Sequence, residues 1–403
     1  MRLMPRFCRS VFFVVVAGGL FTALPAIKAY GRPQAVKLSP AQRARAHGEL
    51  PLTVFYDTSA PLSPGKPGDL IRWQPADEYD VPEGVSAVRI VYRSASATGA
   101  DVAASGVVLI PRGNAPKEGW PVIAWAHPFI AVARQCAPSL MRGLGSGSVL
   151  SMYVNLGYAV VATDYTGLGT AYRNAGYDVD SNALDVIYAV QAARKAVSRL
   201  GATWVAVGEG NGGAAALALA EEESATKDQG YLGSVSISGG LDFRGKFDQV
   251  RSGKWEDSLA YLAFGMKTVY PAFSLDDMLT KRGMDRYEVV TKACSPPPLQ
   301  TPLSAPEALK PEWQQNSFVH GFFGRNTLGQ KPAGAPVLIL SAEDGKKSAD
   351  AQVVARMCGQ NDRIDFETYP NVDPNNLIGT SVAAQMAWIK ARFAGTMTQN
   401  TCR

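Results

Sequence analysis

The chain has 403 residues, of which 46% are hydrophobic and 19% are charged, a composition typical of globular proteins that argues against a disordered or fibrous chain. This length can bury a large core, and one α/β domain with an insertion fits it as well as two domains do. The formal net charge of +5 comes mostly from the N-terminal segment, so the basic character does not indicate nucleic-acid binding.

The first 29 residues have the pattern of a cleaved secretory signal. Arginines precede an apolar run at 11–24, and the small residues Ala26 and Ala29 follow it. The run is short for a membrane span, which needs about 20 residues, and this argues against an anchor. Removal of residues 1–29 takes away Arg2, Arg6, Arg9 and Lys28 and lowers the formal net charge from +5 to +1. We therefore expect a secreted or periplasmic protein.

Cysteine usage supports the same compartment. Cys8 lies in the predicted signal, and the remaining cysteines are Cys136, Cys294, Cys358 and Cys402. An even number in an exported chain predicts two disulfides, which can connect in three ways. We favour Cys136 with Cys294 and Cys358 with Cys402, the second of which would fix the C-terminal tail. No C-x-x-C pair is present, so zinc and thioredoxin-like chemistry are not indicated and no metal site is predicted.

The first half of the chain alternates between strand and helix patterns. Polar residues at 30–50 and a segment rich in proline and glycine at 51–82 predict surface loops with short strands. Two antiparallel strands are expected next, at 87–92 and 104–110. Continuous apolar strands then alternate with helices, the strands at 121–126, 157–162, 204–208 and 233–237 and the helices at 148–156 and 181–200. This alternation predicts a mostly parallel sheet with helices on both faces.

The alternation stops between 241 and 335. Aromatic and amphipathic stretches and a proline-rich segment occupy this part without a clear strand pattern, which indicates an inserted helical cap or lid. A strand at 336–340, a helix at 349–357, a strand at 364–369 and a helix at 379–393 complete the sheet. We therefore divide the chain into a signal peptide at 1–29, a first core part at 30–240, the cap at 241–335 and a second core part at 336–403.

One stretch of the sequence is the most informative about function. Residues 204–220 read WVAVGEGNGGAAALALA, a strand that ends in glycines and opens into an alanine-rich helix. In α/β-hydrolases this arrangement is the nucleophile elbow, G-x-S-x-G, whose strained turn exposes a serine hydroxyl. Here glycine, Gly210, occupies the serine position. Gly208, Gly212 and Gly213 have a sufficient structural explanation in a tight turn and close packing of helix on strand.

Several segments in a common order resemble the secretory lipase family of α/β-hydrolases. They are WAHPFIAVARQCAPSL from Trp125, GYAVVATDYTGLGT from Gly157, the elbow, PVLILSAEDG from Pro336 and AAQMAWIKARFAG from Ala383. The resemblance extends from about residue 51 to the C-terminus. It implies an α/β-hydrolase fold with a lid and a family activity on ester bonds of acylglycerols or other lipophilic esters, and it supports the disulfide pairing favoured above.

The resemblance also assigns the catalytic positions. Gly210 is at the nucleophile position and has no hydroxyl, Asp344 matches the triad aspartate, and Pro374 stands where the family has its histidine base. No histidine follows Asp344 anywhere in the chain. The nearest serine motif elsewhere includes Ser381, which the pattern places at the start of the last helix. The triad therefore retains only its acid.

The oxyanion region departs from the family pattern as well. His127 resembles the family's structural histidine before the oxyanion loop. Pro128 replaces a glycine and removes an N–H donor, and Phe129 replaces a small residue. Asn211 follows the nucleophile position, where the backbone N–H normally serves the oxyanion, and we expect it to shape the floor of the cleft.

These losses predict a catalytically degenerate lipase-family protein that binds a lipid or lipophilic ester ligand, or a protein partner through the cap. The alternative is residual or relocated carboxylester hydrolase activity, with Glu209 or Asp344 as a base acting on water. No cofactor and no nucleic-acid partner is predicted, because GEGNGG lacks both the lysine of a P-loop and the downstream features of a dinucleotide fingerprint.

Overall fold

The computed structural model describes residues 49–58, 61–96, 98–226, 228–240, 256–301, 303–343, 348–397 and 399–402. These residues belong to one of the two units into which the chain divides, Pro40–Arg403. The predicted signal peptide, residues 1–29, lies outside the described residues.

A nine-stranded sheet runs through this unit in the order β1-β2-β3-β5-β4-β6-β7-β8-β9. The pairs β1–β2, β2–β3 and β3–β5 are antiparallel, and the pairs from β5 to β9 are parallel. The strands are β1 (Leu70–Pro75), β2 (Ser86–Ala95), β3 (Asp101–Ile110), β4 (Trp120–Ala126), β5 (Ala159–Thr163), β6 (Leu200–Glu209), β7 (Tyr231–Ile237), β8 (Val337–Ser341) and β9 (Ile364–Thr368). The predicted mostly parallel α/β sheet is confirmed.

Helices connect the parallel strands, as the crossover between parallel neighbours requires. The helices of the described residues, the last two of which follow β9, are α1 (Gly147–Asn155), α2 (Val179–Ala196), α3 (Asn211–Thr226), α4 (Ser258–Val269), α5 (Lys281–Val290), α6 (Ala305–Ala308), α7 (Ser317–Arg325), α8 (Ala349–Gly359), α9 (Leu377–Thr380) and α10 (Val382–Phe393). Within the described ranges, none of these helices has the length and apolar character needed to cross a bilayer.

Alternating side chains on the central strands create two cores. On β6, Trp204 and Ala206 contribute to the core beneath α2, α3 and α8, whereas Val205 and Val207 contribute to the core beneath α1 and α10. The central part of such a strand is apolar at successive positions because both of its faces are covered. This explains the continuous apolar runs of the sequence.

Between β7 and β8 lie α4 to α7, and we call residues 256–335 the cap. The cap has its own buried cluster, with Leu262, Met266 and Phe273 among its fully buried members. A disulfide joins Cys136 of the core to Cys294, which follows α5 in the cap. The domain limits at 241 and 335 stay a prediction.

Two helices differ from the sequence expectations. The helix expected at 181–200 is Val179–Ala196, because Asp178 caps its first turn and β6 already begins at Leu200. The helix expected at 379–393 is divided at Ser381, whose hydroxyl donates to the Leu377 carbonyl oxygen at 2.7 Å. The segment at 51–82, expected to be loop with short strands, contains the edge strand β1, in agreement with that expectation.

The C-terminal tail covers the other edge of the sheet. Thr401 donates its N–H to the Ile364 carbonyl oxygen at 2.6 Å, and the Phe366 N–H donates to Thr401 Oγ1 at 3.0 Å. The disulfide between Cys358 and Cys402 holds the tail in this position. Because exposed strand edges promote association between chains, this cover protects β9.

The double variant Cys358→Ser, Cys402→Ser is expected to lose about 2–4 kcal/mol of unfolding free energy, since the cross-link restricts the unfolded chain. Denaturant titration measures this loss, and hydrogen exchange should show faster exchange at Ile364 and Phe366. Met397→Ala is the matched control, because Met397 is an exposed side chain of the same tail. Unchanged exchange at β9 in the double serine variant would contradict a role for the disulfide in holding the tail.

Candidate functional site

The turn between β6 and α3 has the geometry of a strand–turn–helix elbow. Glu209 is the last residue of the strand, Asn211 is the first residue of the helix, and Gly210 between them has a φ of +54°. The Gly210 N–H donates to the Ile237 carbonyl oxygen at 2.8 Å, and the Gly210 carbonyl oxygen accepts from the Ala214 N–H at 3.0 Å. The turn is thus joined to β7 on one side and to the first turn of α3 on the other.

Three neighbouring glycines are required by close backbone contacts. A Cβ atom on Gly208 would lie 2.0 Å from the Gly212 carbonyl oxygen, and one on Gly212 would lie 2.0 Å from the Ala126 carbonyl oxygen. A Cβ atom on Gly213 would lie 2.9 Å from the Gly239 Cα atom. Because these three positions carry no Cβ atom, α3 can pack closely against β4 and β7.

Gly210 differs from these three glycines. The nearest atom to a Cβ placed on Gly210 is Pro128 Cβ at 3.9 Å, which is an ordinary van der Waals distance. The space above the turn therefore accommodates a side chain, and the positive φ is the region in which L-residues are strained. This position can hold a serine sterically, but the sequence places no hydroxyl there.

The loop after β4 lies beside the elbow and begins with His127. The imidazole is buried, with Nδ1 at 2.7 Å from the Pro128 carbonyl oxygen and Nε2 at 3.3 Å from the Asp164 carbonyl oxygen. Burial lowers the pKa of His127 to about 4. The ring also lies 4.3 Å, centroid to centroid, from that of Tyr165. Both ring nitrogens lie within hydrogen-bonding distance of backbone carbonyl oxygens, and these contacts fix the orientation of the ring within the loop.

Beneath this loop lies a buried carboxyl group that sequence reasoning did not single out. Asp164 accepts hydrogen bonds from Ser105 Oγ at 2.6 Å and from the Ser139 N–H at 2.8 Å, and burial raises its pKa to about 6. Ser139 in turn contacts the Tyr56 hydroxyl, and its carbonyl oxygen accepts from the Tyr79 hydroxyl at 2.7 Å. In the sequence, the available sign of this network was an aspartate directly after β5. In the structure, the Asp164 carboxyl group organises the polar network under the loop.

Phe129 connects the same loop to the cap. Its ring stacks on Tyr177 with centroids 4.5 Å apart, and it lies 4.6 Å from the ring of Tyr261 on α4. The residue predicted to disturb the oxyanion loop thus contributes an aromatic contact between core and cap.

The loop after β9 contains Pro374, which is exposed and begins a short 3₁₀ helix, Pro374–Asn376. Asp373 caps this helix, since its Oδ1 accepts from the Asn375 N–H at 2.8 Å. The other predicted triad position, Asp344, lies outside the described residues. The remaining described histidine, His320, is exposed on α7. Among the histidines that the structure describes, none lies in the loop after β9.

The substitute nucleophile considered from sequence is buried. Ser381 Oγ donates to the Leu377 carbonyl oxygen at 2.7 Å and accepts from Gln385 Nε2 at 2.8 Å. Both hydrogen-bonding directions of the hydroxyl are thus used inside the helical segment. Ser381 supports the junction of α9 and α10 and has no access to a substrate.

Two polar side chains flank Gly210. Glu209 is half-buried, and burial raises its pKa. Asn211 is 7% exposed, and its Oδ1 has no hydrogen-bond partner in the part of the chain that the structure describes. Among the described residues, no cluster of three or more histidine, cysteine or acidic side chains is arranged to hold a metal ion.

A sheet of this topology, an elbow before α3 and a helical cap between β7 and β8 define an α/β-hydrolase fold. Solved structures with similar folds include lipases and esterases. Lipase A of Candida antarctica matches with a TM-score of 0.74 and 16% identity, over 88% of this chain and 89% of that chain. The rice cell wall degrading esterase LipA of Xanthomonas oryzae matches with a TM-score of 0.66 and 19% identity, over 82% of this chain and 99% of that chain.

A putative hydrolase of Legionella pneumophila matches with a TM-score of 0.65 and 14% identity, over 82% of this chain and 100% of that chain. At these identities the likeness establishes the lipase-like fold alone. No protein-family model and no curated protein sequence matches the chain.

Proposed function

We propose that this protein is a secreted or periplasmic, non-hydrolytic member of the lipase-like α/β-hydrolases, which binds a lipid or lipophilic ester in the cleft between the elbow and the cap. The observation that carries the proposal is Gly210: the elbow keeps its turn and its required glycines, yet the position that would carry the nucleophile has no side chain. Without a nucleophile, no acyl-enzyme forms at this turn.

The other catalytic parts support the same conclusion. Pro374 occupies the position that the family resemblance assigns to the base, and proline has no titratable side chain. His127 is buried between two carbonyl oxygens. Pro128 provides no N–H to an oxyanion. Removal of a triad serine or histidine alone typically lowers turnover about a million-fold, so any residual esterase activity would be difficult to distinguish from background.

Apolar and aromatic groups near the elbow fit a lipophilic ligand. Phe129, Tyr177 and Tyr261 lie together where the core meets the cap. Ligand cavities are commonly lined by such side chains with a few polar groups, which Glu209 and Asn211 provide beside Gly210. The two disulfides are compatible with an exported protein.

The second candidate is a relocated hydrolase with Glu209 as base. The half-buried carboxylate beside the turn favours it, because a raised pKa brings a carboxyl group closer to the range useful for proton transfer. In this mechanism Glu209 would take a proton from water as the water attacks the ester carbonyl.

Hydrolysis of p-nitrophenyl butyrate and p-nitrophenyl palmitate by the mature protein separates the two candidates. We expect turnover equal to that of a heat-denatured sample. Turnover well above that background, abolished by Glu209→Gln, would replace the binding proposal with the relocated hydrolase.

Binding is tested on the same preparation. We expect solvent extraction of the natively purified protein to release a lipid, and added long-chain esters to bind it reversibly. Phe129→Ala is expected to weaken binding about tenfold, because a buried aromatic ring contributes roughly 1.5–3 kcal/mol. Leu156→Ala, at an exposed position after α1, is the control. Absence of both copurified and added lipid would refute the proposal.

A further inference from the structure

Helix α4 of the cap contacts the core through a pair of glycines. A Cβ atom placed on Gly265 of α4 would lie 2.7 Å from the Ala175 carbonyl oxygen. Gly176, which has a φ of +59°, faces the same helix, and a Cβ atom on it would lie 3.1 Å from the Tyr261 carbonyl oxygen and 3.3 Å from Gly265 Cα. With glycine on both sides, the backbone of α4 lies directly against the loop between β5 and α2.

Side chains extend this contact. Arg173, in the same loop, lies over the ring of Phe264 on α4, with its Cζ atom 4.4 Å from the ring centroid. Val132, in the loop after β4, is 3% exposed and belongs to the buried cluster of the cap. Phe129 of that loop packs against the same cluster. The hydrophobic cluster of the cap therefore includes side chains that the core supplies.

The segment after α5 is held to the core by a covalent bond and a hydrogen bond. Cys294 forms the disulfide with Cys136, and the Lys292 carbonyl oxygen accepts from Gln135 Nε2 at 2.8 Å. Both core residues lie in the short 3₁₀ helix Arg134–Cys136. This second attachment uses a part of the core that is separate in sequence from the loop beneath α4.

The return of the chain from the cap to the sheet provides a third attachment. Asn326, directly after α7, is 1% exposed, and its Oδ1 accepts the N–H of Val179, the first residue of α2, at 2.8 Å. The Leu328 carbonyl oxygen then accepts from Arg356 Nε of α8 at 2.6 Å. The cap is thus joined to the core at its beginning, in its middle and at its end.

We propose that the cap is a fixed part of the structure and not a lid: residues 256–335 remain on the core when the protein meets a lipid surface, and the contact of Gly265 with the loop at 175–177 holds them there in addition to the disulfide. The proposal goes beyond the function of the cleft, because it holds whether or not the cleft binds a lipid.

The physical reason is the number and the separation of the attachments. Lids that open move about a few hinge residues, and they belong to the parts of a protein with low local stability. A hinge motion of this cap could keep one attachment, but it would have to separate the others. The disulfide does not separate without reduction, and the glycine contact cannot slide without bringing backbone atoms into collision.

Electron paramagnetic resonance distances between core and cap test the proposal. Nitroxide labels on Leu156→Cys after α1 and on Val289→Cys in α5, both exposed positions, report the separation of the two parts in the full-length mature protein. We expect one distance distribution that does not change when phosphatidylcholine vesicles or micelles of a nonionic detergent are added. A second population at another distance with either addition would overturn the proposal.

Two alanine substitutions of glycines in cap helices test the contact itself. Gly265→Ala places a Cβ atom against the Ala175 carbonyl oxygen, and we expect the hydrogen-exchange protection of α4 to fall about tenfold, because overpacking forces the two backbones apart. Gly324→Ala on α7 is the matched control, since a Cβ atom there meets no described atom within 4 Å, and protection should not fall. Equal protection in the two variants would refute the role of Gly265.

The double variant Cys136→Ser, Cys294→Ser separates the glycine contact from the disulfide. Because the other attachments remain, the labelled variant should keep the distance distribution of the unmodified protein, with and without vesicles. A cap that opens on vesicles in this variant would show that the disulfide alone holds it and would overturn the proposal. If Gly265→Ala does not fold, the distances in this variant and in the unmodified protein still decide the outcome.

Discussion

Replacement of Gly212 by alanine is expected to prevent folding or to lower the free energy of unfolding by more than about 4 kcal/mol, which is the range of the severest single substitutions. The new Cβ atom would lie 2.0 Å from the Ala126 carbonyl oxygen and 2.6 Å from that of His127. Both are backbone atoms at the end of β4, so relief of the clash requires α3 to move away from the sheet. Denaturant titration followed by circular dichroism measures the effect.

Gly210→Ser, two residues earlier in the same turn, is the matched control. Its Cβ atom meets only Pro128 Cβ at 3.9 Å, and the positive φ costs about 1–2 kcal/mol for a residue with a side chain. We therefore expect a folded, slightly destabilised protein. Equal stability of the two variants would show that the close approach of α3 to β4 is not the reason why glycine is required at position 212.

The sequence predicted the sheet and the elbow because both depend on local patterns. Buried parallel strands require apolar residues on both faces, so β4, β5 and β6 were recognisable as continuous runs. The glycines around Gly210 were recognisable because only glycine permits such close backbone contacts. The disulfide pairing favoured from sequence agrees with the pairs that the structure contains.

Contacts between segments distant in sequence were not predictable. Asp164 receives hydrogen bonds from Ser105 and Ser139, and no local pattern reveals that these residues meet. Phe129 was interpreted as a departure from the oxyanion pattern, but its contact with Tyr261 depends on where the cap lies. The same holds for Glu221, a polar residue within a helix, whose carboxyl group accepts the N–H groups of Gly329 and Gln330 from a segment distant in sequence.

Buried polar groups hold the loop beside the elbow in place, and they do so independently of any catalytic role. His127 and Asp164 are linked through the Asp164 carbonyl oxygen, and the Asp164 carboxyl group anchors Ser139. A buried carboxyl group left without these donors costs about 1–3 kcal/mol or more. Selection for stability alone can therefore preserve this loop after hydrolysis is lost, which is the situation that we propose.

The double variant Gly210→Ser, Pro374→His is expected to gain esterase activity. The serine hydroxyl would enter the open space beside Pro128, and the imidazole would stand at the position that the family resemblance assigns to the base, with Asp344 as the acid. A complete triad contributes about 10⁶ in turnover. Because Pro128 still provides no oxyanion N–H, we expect only part of this, on the order of 10³–10⁴-fold over the unmodified protein, since one lost donor costs about 10²–10³.

Hydrolysis of p-nitrophenyl butyrate measures the gain, and the single variants Gly210→Ser and Pro374→His should remain at background. Addition of Asp344→Asn to the double variant should lower the gained activity, because the new imidazole would lose the group that orients it. A folded double variant without activity would contradict the assignment of Pro374 to the base position. Activity that persists without Asp344 would instead place the acid elsewhere, with Glu209 beside the turn as the first residue to substitute.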